Sequence, residues 1–372
     1  MFASDRQPNF EHFRTDSAGI FVSIELSRST WLVTSLSPGA GQKMSKHSVR
    51  AGDLAGLLER FADLRGKARH RTGQDFHIIS IQEAGLDGFW IHRVLQDEGV
   101  ESYVVDPASI ATSRRRRRAK TDKIDGEALV RALLAYKRGE PRVCAMITVP
   151  SVEEEDRRRI NRERKVLVGE RVRHINRIKG LLFGQGITGY EPIRRDRRER
   201  LDELRTGDGR EISCNLKSQI RRELDRLEVV LDQIRDVEQE RGNLIDKQAS
   251  EAPICLLLGL RGIGPEFATV LFAEGMFRHF NNRRQIAAYA GLAPTPWQSG
   301  SVARDQGVSK AGNVRLRTTM VELSWLWLRN QPDSALSRWF HSRVEQNGGR
   351  LRKPMIVALA RKLLVALWKY VT

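Results

Sequence analysis

The sequence predicts an α/β domain at its N-terminal end, then a long helical hairpin, then a mostly helical C-terminal part. Three observations lead to this fold class. Apolar segments with strand-like alternation are interleaved with helical patterns over about the first 140 residues, as in α/β domains. Two long, highly charged segments with a narrow apolar stripe follow. From about residue 252 the composition is globular again, with helical patterns rich in Leu and Trp.

The predicted α/β domain covers residues 19–150 and follows a polar, unpatterned tail over 1–18. Strand-like alternation over 20–26 predicts the first of two strands joined by a short turn. One side carries Ile20, Val22, Ile24 and Leu26, and the other carries Ser23 and Glu25. The later elements are an amphipathic helix from Leu54, the buried strand HIISIQEAG, a helix over 88–97, the strand SYVVDP and a helix that starts near KTDKIDGEALVRALL.

The segment 151–250 predicts an antiparallel coiled-coil hairpin. Ser151 followed by Glu154 forms a capping box that opens a helix to about residue 183. A second long helix carries apolar residues at alternating spacings of four and three, a heptad stripe; they are Ile220, Leu224, Leu227, Leu231 and Ile234. Such a hairpin can be a lone surface feature, but the narrow stripe equally favours a partner helix from another protomer.

The predicted C-terminal domain covers residues 251–372. LLLGLRGIGPEFATVLFAEG indicates helix, G-x-G turn, helix, the pattern of a helix-hairpin-helix. The turn amides around Gly262 and Gly264 can bind a phosphate at the following helix N-terminus, although an ordinary helix pair with a glycine turn has the same pattern. A polar stretch, TPWQSGSVARDQGVSKAGNVRLR, separates this unit from the final helices.

The charge balance points to a polyanionic partner. The chain has 64 Lys and Arg against 46 Asp and Glu, a formal net charge of +18, and a pI near 10.3. Basic side chains that neutralise phosphates release counterions, which favours nucleic acid. The candidate phosphate-binding residues of the N-terminal half are Arg114, Arg115, Arg116, Arg117, Arg118 and Lys120, and a second basic cluster occupies 194–200.

Other features of the composition concern membrane association and the redox compartment. No apolar run reaches the length of a membrane span and no secretory signal opens the chain, so no membrane partner is expected. The three cysteines, Cys144, Cys214 and Cys255, are widely separated. This pattern argues for a reducing cytoplasm, and against a disulfide framework or a cysteine zinc site.

Four acidic residues of the α/β domain are candidates for a metal site. Glu25 lies on the first strand, Glu83 ends a buried strand, and Asp122 and Asp125 begin a helix after the arginine run. Open α/β sheets bind ligands at the carboxyl ends of their strands, so the four acids can converge. Clustered carboxylates need cations, and hard oxygen ligands suit Mg²⁺ or Mn²⁺. As an isolated pair, the two aspartates can instead be salt-bridged residues at a helix start.

Several motifs, taken in order, resemble one known family. They are SIELSRSTW, IQEAGLDGFW, RRAKTDKIDGEALVRAL and PSVEEEDRRRINRERK in the first half, and LRGIGPEFATVLFAEG, RRQIAAYAGLAPTPWQSGS and QGVSKAGNVRLR in the second. Over residues 20 to about 330 the chain resembles the DEDD transposases of insertion-sequence family one-ten, which are related to the pilin-gene invertases.

The resemblance implies an RNase H-like, RuvC-like domain whose acidic quartet binds divalent metal. Glu83, Asp122 and Asp125 match the second, third and fourth acids. Glu25 stands where the family usually has Asp, so its longer side chain changes the reach to a metal. The resemblance also implies a nucleophilic serine before GVSKAGN, and Ser299 matches that position best.

Other residues of the polar stretch complete the predicted site. Ser301 and Ser309 are lower-ranked rivals for the nucleophile, and a turn serine bonded to its own backbone is the structural alternative for Ser299. The basic residues that can hold phosphates there are Arg304, Lys310, Arg315 and Arg317.

The function implied is that of a transposase that cuts and rejoins DNA through a phosphoserine link. The resemblance further implies donor and target DNA, a guide called bridge RNA, active sites assembled across subunits, and a homo-oligomer, dimer or tetramer. It places the protein in the bacterial cytoplasm, acting at the nucleoid. Two alternatives remain: a RuvC-like nuclease without rejoining, which would not need Ser299, and a non-catalytic nucleic-acid-binding scaffold.

Overall fold

The structure, a computed structural model, forms two compact units, one ending at Pro150 and the other beginning at Ser151. It describes residues 19–41, 43–85, 88–110, 122–141, 143–247, 252–276, 278–299, 302–346 and 348–372. For residues 108, 122–124, 296–299 and 302–306 only the backbone is described. The predicted tail 1–18 lies outside the described residues.

A five-stranded mixed sheet organises the first unit. Its strands are β1 (Ile20–Glu25), β2 (Thr30–Leu36), β3 (Ser45–Arg50), β4 (Ile78–Glu83) and β5 (Glu101–Val105), in the order β3-β2-β1-β4-β5. Strands β1, β2 and β3 are antiparallel neighbours, whereas β4 is parallel to both β1 and β5. This mixed sheet is consistent with the expected RNase H-like domain.

Helices cover both faces of this sheet. They are α1 (Leu54–Thr72), α2 (Trp90–Asp97) and α3 (Asp122–Lys137), with a short 3-10 turn at Pro107–Ser109. Because successive side chains of a strand point to opposite faces, Ile20 and Val22 of β1 pack with α1 and α2. Phe21 lies on the other face, in a core with Leu129 of α3.

Strand β3 is an element of the first unit that the sequence did not predict. Its residues, SKHSVR, are mostly polar and alternate between half-buried and exposed positions. The strand pairs with β2 at the edge of the sheet, where one face and one edge meet solvent. An edge strand therefore lacks the apolar run by which buried strands are recognised.

Two long antiparallel helices open the second unit. They are α4 (Val152–Phe183) and α6 (Cys214–Asp246), and the short α5 (Arg197–Glu203) lies between them in sequence. The predicted capping box at Ser151 and Glu154 is present. Late residues of α4, such as Ile178, pack with early residues of α6, such as Leu227, and Leu167 packs with Val237. The helices therefore pair as a hairpin, and its coiled-coil geometry stays a prediction.

The rest of the second unit is mainly helical and packs around one large core and one smaller core. Its helices are α7 (Pro253–Leu258), α8 (Pro265–Leu271), α9 (Arg283–Tyr289), α10 (Val314–Asn330), α11 (Ala335–Glu345) and α12 (Arg352–Val371), with a π-helical turn at Phe272–Met276. The predicted polar stretch contains an antiparallel hairpin of β6 (Pro294–Ser299) and β7 (Val302–Val308).

The structure bears on the helices that could span a membrane and on the state of the cysteines. None of the helices in the described part of the chain has the length and apolar character needed to cross a bilayer. Cys144, Cys214 and Cys255 are all free thiols.

Candidate active site

Glu25 and Glu83 lie at the same edge of the sheet. They are the last residues of β1 and β4, which are parallel neighbours with Ile24 opposite Gln82. Continuing this register by one residue puts the two glutamates side by side at the carboxyl ends of adjacent strands. This is the position at which open α/β sheets hold ligands.

The first turn of α3 meets that edge. The Ser23 hydroxyl donates a 2.9 Å hydrogen bond to the Gly126 carbonyl oxygen. A Cβ on Gly126 would lie 2.5 Å from Thr34 Oγ1 and 3.0 Å from Glu25 Oε1. Only glycine lets the helix approach so closely, and it brings Asp125, the preceding residue, to the edge that carries Glu25.

The donor set at this edge fits a hard divalent cation. Carboxylate oxygens are the ligands that Mg²⁺ and Mn²⁺ prefer, and the Glu25 carboxylate is held against the start of α3. Among the described side chains, however, no three acidic, histidine or cysteine residues lie close enough together to hold a metal ion. The side chain of the remaining predicted ligand, Asp122, lies outside that description, although its backbone begins α3. The arginine run 114–118 and Lys120 also lie outside the described residues.

Ser299 is the last residue of β6, next to the turn of the β6–β7 hairpin. Its backbone pairs with Val302, and residues 300 and 301 join the two strands. The predicted loop serine therefore stands at the end of a strand. Of the two rivals, Ser301 lies outside the described residues, whereas the amide of Ser309 donates to Ala293 O at the hairpin base, over 2.9 Å.

Close backbone packing fixes the base of the hairpin. A Cβ on Gly291 would lie 2.3 Å from Ala311 O, and one on Gly312 would lie 2.4 Å from Tyr289 O. Both glycines have positive φ, as does Lys310 at 57°, the one non-glycine with positive φ among the described residues. Such conformations persist where the surrounding structure over-determines them, so this base is a rigid support for the hairpin.

A buried carboxylate that sequence reasoning missed ties this base to α4. Glu274, in the π-helical turn, accepts hydrogen bonds from Arg162 Nε at 3.2 Å and from Asn313 Nδ2 at 3.0 Å. Asn313 also caps α10, because its Oδ1 accepts from the Leu316 amide at 3.0 Å. The signal in the sequence is one acid within the apolar run VLFAEG, since buried charges are normally paired.

The other predicted phosphate-binding residues occupy different settings. Arg315 lines a cavity of about 190 Å³ together with Arg162 and Lys165 of α4. Arg317 Nη1 donates to Lys310 O at 2.7 Å, so it stabilises the hairpin base. For Arg304, paired with Trp297 in the sheet, only the backbone is described.

The two glycines of the predicted helix-hairpin-helix join α7 to α8. Gly262 has φ of 95°, and a Cβ there would lie 2.9 Å from Asn330 Cβ. Gly264 is the N-cap residue of α8, with Pro265 following it. The turn is therefore formed as the sequence indicates, and its binding of phosphate stays a prediction.

Comparisons with known proteins identify the family to which the chain belongs. Residues 39–185 match a DEDD transposase family model, and residues 255–339 match the model described as transposase IS116/IS110/IS902 family. A Sinorhizobium fredii protein, y4rJ, named provisionally as a transposase, is 67% identical over an alignment of 386 positions. The alignment covers 100% of this chain and 96% of the relative. The chain belongs to the IS110/IS116/IS902 family of transposases.

More distant members of the family are named for their elements. The transposase for insertion sequence element IS1111A of Coxiella burnetii is 26% identical, over 79% of this chain and 77% of its own. The transposase for insertion sequence element IS1328 of Yersinia enterocolitica is 24% identical, over 68% and 72%. A transposase cuts and rejoins DNA, and the DEDD domain indicates use of a divalent metal. The matched regions contain Glu83, Asp122, Asp125 and Ser299, whereas Glu25 precedes them.

Proposed function

We propose that this transposase cuts and rejoins DNA through a phosphoserine at Ser299, assisted by a divalent cation that Glu25, Glu83, Asp122 and Asp125 hold. The observation that supports the proposal is that β1 and β4 end side by side at Glu25 and Glu83, while α3 packs with Gly126, the residue after Asp125, against Glu25. When bound there, a divalent cation neutralises the carboxylates and polarises a phosphate.

The covalent step exchanges one phosphoester for another. Ser299 Oγ attacks the phosphorus, the Oγ–P bond forms, and the P–O bond to one strand end breaks. The hydroxyl proton passes to a base, because a hydroxyl is a weak nucleophile until it is activated, and the released oxygen takes up a proton. Since the number of phosphoester bonds is unchanged, the link keeps the energy needed to rejoin a second strand.

The rigid hairpin base supports a role for the serine. Close packing at Gly291 and Gly312 and the hydrogen bond from Arg317 to Lys310 fix the base of the hairpin, and Ser299 stands at the other end of β6. Catalytic groups on well-supported elements keep their geometry better than those on free loops. The acids belong to one unit and the serine to the other, and the proposal includes active sites assembled from the acids and serines of different subunits.

The proposal extends to the partners. A net charge of +18 suits donor and target DNA together with a base-pairing guide RNA, the bridge RNA, because each phosphate contact by Lys or Arg adds affinity. It places the protein in the bacterial cytoplasm, acting at the nucleoid. The nuclease alternative needs the acids without Ser299, and the scaffold alternative needs neither.

The test uses supercoiled plasmid, guide RNA and Mg²⁺ with wild type and Ser299→Ala. We expect wild type to form a denaturant-resistant protein–DNA adduct and recombined plasmid. The alanine variant should form neither, while it still binds RNA and DNA. Ser309→Ala is the matched control and should keep the adduct. Nicked plasmid without an adduct would favour the nuclease, and an adduct that persists in Ser299→Ala would move the nucleophile to Ser301.

A further inference from the structure

The two sides of α6 differ in how its charges are used. On one side Asp225 and Glu228 pair with arginines of α5: Arg198 Nη2 lies 2.5 Å from Asp225 Oδ1, and Arg197 Nη2 lies 2.7 Å from Glu228 Oε1. These arginines belong to the basic cluster 194–200 that the sequence suggested for nucleic acid. Their charges are therefore used within the fold.

On another side of α6 an open polar groove of about 690 Å³ is rich in donors. Its walls are Arg177 of α4 and Asn215, Ser218, Gln219, Arg222 and Arg226 of α6, and its floor is Glu223. Within the described chain, Asn215, Ser218, Gln219 and Arg222 have no side-chain hydrogen bond or ion pair. These four side chains are available to a ligand.

The buried Glu223 orients the two other arginines of the groove. Its carboxyl is 3% exposed, while Arg177 and Arg226 are 61% and 55% exposed. Glu223 Oε1 accepts from Arg177 Nη1 at 3.0 Å and from Arg226 Nη1 at 2.6 Å. His174 Nδ1 lies 2.8 Å from the other oxygen. Each guanidinium carries five donors, so both arginines retain donors that face solvent.

The donors of α6 lie along one helical face. Asn215, Gln219, Arg222 and Arg226 follow at spacings of four, three and four, which keeps them in one row. Eleven residues of helix extend about 16 Å, the reach of several phosphates along a strand. The acid inside this interval that lines the groove, Glu223, points inward and is already bonded.

We propose that this groove binds the backbone of an RNA helix, with Arg177, Arg222 and Arg226 on phosphates and Asn215, Ser218 and Gln219 on 2′-hydroxyls. Arginine forks match phosphate oxygens. Neutral amides and hydroxyls both donate and accept, as the 2′-hydroxyl does, and that group distinguishes RNA from DNA. The inference deepens the proposed function, on which it rests for a guide RNA, and adds the surface that holds it.

The test measures binding of the full chain to a 20-base-pair RNA duplex and to a DNA duplex of the same sequence, without Mg²⁺ and in the Ser299→Ala background. We expect Arg222→Ala to weaken RNA binding about tenfold and to lower the slope of log affinity against log salt by about one. We expect Gln219→Ala to reduce the preference for RNA over DNA several-fold. Arg361→Ala, an exposed arginine of α12 with no ion pair in the described chain, is the matched control.

Each other outcome overturns the inference. Equal loss on both duplexes would mean that the groove contacts phosphates without distinguishing RNA from DNA. A loss no larger than that of Arg361→Ala would mean that it binds no nucleic acid. Because the assay contains no cleavage step, its result is independent of adduct formation at Ser299. If wild type forms the DNA adduct but does not bind RNA, both the guide RNA and the RNA groove are contradicted. If Arg222→Ala weakens RNA binding but wild type forms no adduct, only the serine mechanism is contradicted. Thermal melts identify any variant that fails to fold.

Discussion

The hydroxyl of Ser23 donates a 2.9 Å hydrogen bond to the carbonyl oxygen of Gly126, which joins the middle of β1 to the first turn of α3. Two residues beyond Ser23, the Glu25 carboxylate lies 3.0 Å from where a Cβ on Gly126 would be. The Ser23 hydroxyl and the missing side chain of Gly126 therefore let the first turn of α3, which contains Asp125, pack against Glu25.

We expect Gly126→Ala to destabilise the protein by about 1–3 kcal/mol, the usual cost of overpacking a filled core. The added methyl would lie 2.5 Å from Thr34 Oγ1 of β2, so α3 or this strand must shift. Strand-transfer activity should fall further than the lost fraction of folded protein explains. Urea unfolding and plasmid recombination measure the two effects. Gly66→Ala in α1, where a Cβ meets nothing within 4 Å, is the control and should stabilise by about 0.5–1 kcal/mol.

The second prediction concerns Asp125, which precedes Gly126 in the first turn of α3. Asp125→Asn removes a charge that the fold does not need, so nucleic-acid binding should survive while strand transfer is abolished. Titration with Mn²⁺ should show weaker metal binding. Glu98→Gln, at the end of α2 and away from the candidate edge, should change neither property. Normal metal affinity in Asp125→Asn would exclude Asp125 from the ligand set.

The sequence predicted local elements better than long-range contacts. The capping box at Ser151 and the strand that ends at Glu83 depend on neighbours in sequence, and both were found as expected. The β6–β7 hairpin was not predicted, because its residues are polar, include two prolines, and depend on a base formed at Gly291 and Gly312.

The same limit applies to the candidate sites. The acids were recognisable by position and by resemblance, but the approach of Gly126 to Glu25 is visible only in the fold. Likewise, Glu223 follows the heptad residue Ile220 by three and resembles any charged helix residue in sequence. Its burial beneath Arg177 and Arg226 depends on how α4 packs against α6.

A third prediction compares an ion pair whose carboxylate is buried with one whose carboxylate is exposed. Glu274 is 3% exposed and pairs with Arg162, whereas Glu266 is 46% exposed and pairs with Arg164. Glu274→Gln should cost about 1–3 kcal/mol, because it leaves buried donors poorly matched. Glu266→Gln should cost less than about 1 kcal/mol, as for other surface pairs. Equal values in urea unfolding would contradict a special role for Glu274.

A fourth prediction is a pH dependence that arises at Glu223. Burial by itself raises the pKa of this carboxyl, but hydrogen bonds from His174 and Arg177 and the charge of Arg226 outweigh it, so the pKa lies below its ordinary value of 4.5. A depressed pKa means that the ionised group stabilises the fold above about pH 4.5, and that this contribution is lost as the pH falls through the folded pKa. The free energy of unfolding of wild type should therefore drop below pH 4.5. Glu223→Gln should be less stable at pH 7, and its free energy of unfolding should fall less steeply below pH 4.5. If wild type and Glu223→Gln lose stability equally below pH 4.5, Glu223 is not the source of the pH dependence.

The last prediction concerns the proposed role of the α4–α6 hairpin in joining protomers. Leu227 is fully buried between the two helices of one chain, so Leu227→Ala should cost about 2–5 kcal/mol through the cavity it leaves. Because Leu227 packs within one chain, a substitution there does not test contact between protomers.

Val166 and Val229 are 56% and 57% exposed, and exposed apolar residues on such helices are candidates for contact with a second copy. The double variant Val166→Glu, Val229→Glu should therefore keep the unfolding free energy of wild type within about 0.5 kcal/mol. Light scattering should show a smaller assembly, because charges in an apolar contact are costly to bury. Arg361→Glu, at an exposed position of α12, is the control for added negative charge. An unchanged mass in the double variant would show that these positions do not join protomers.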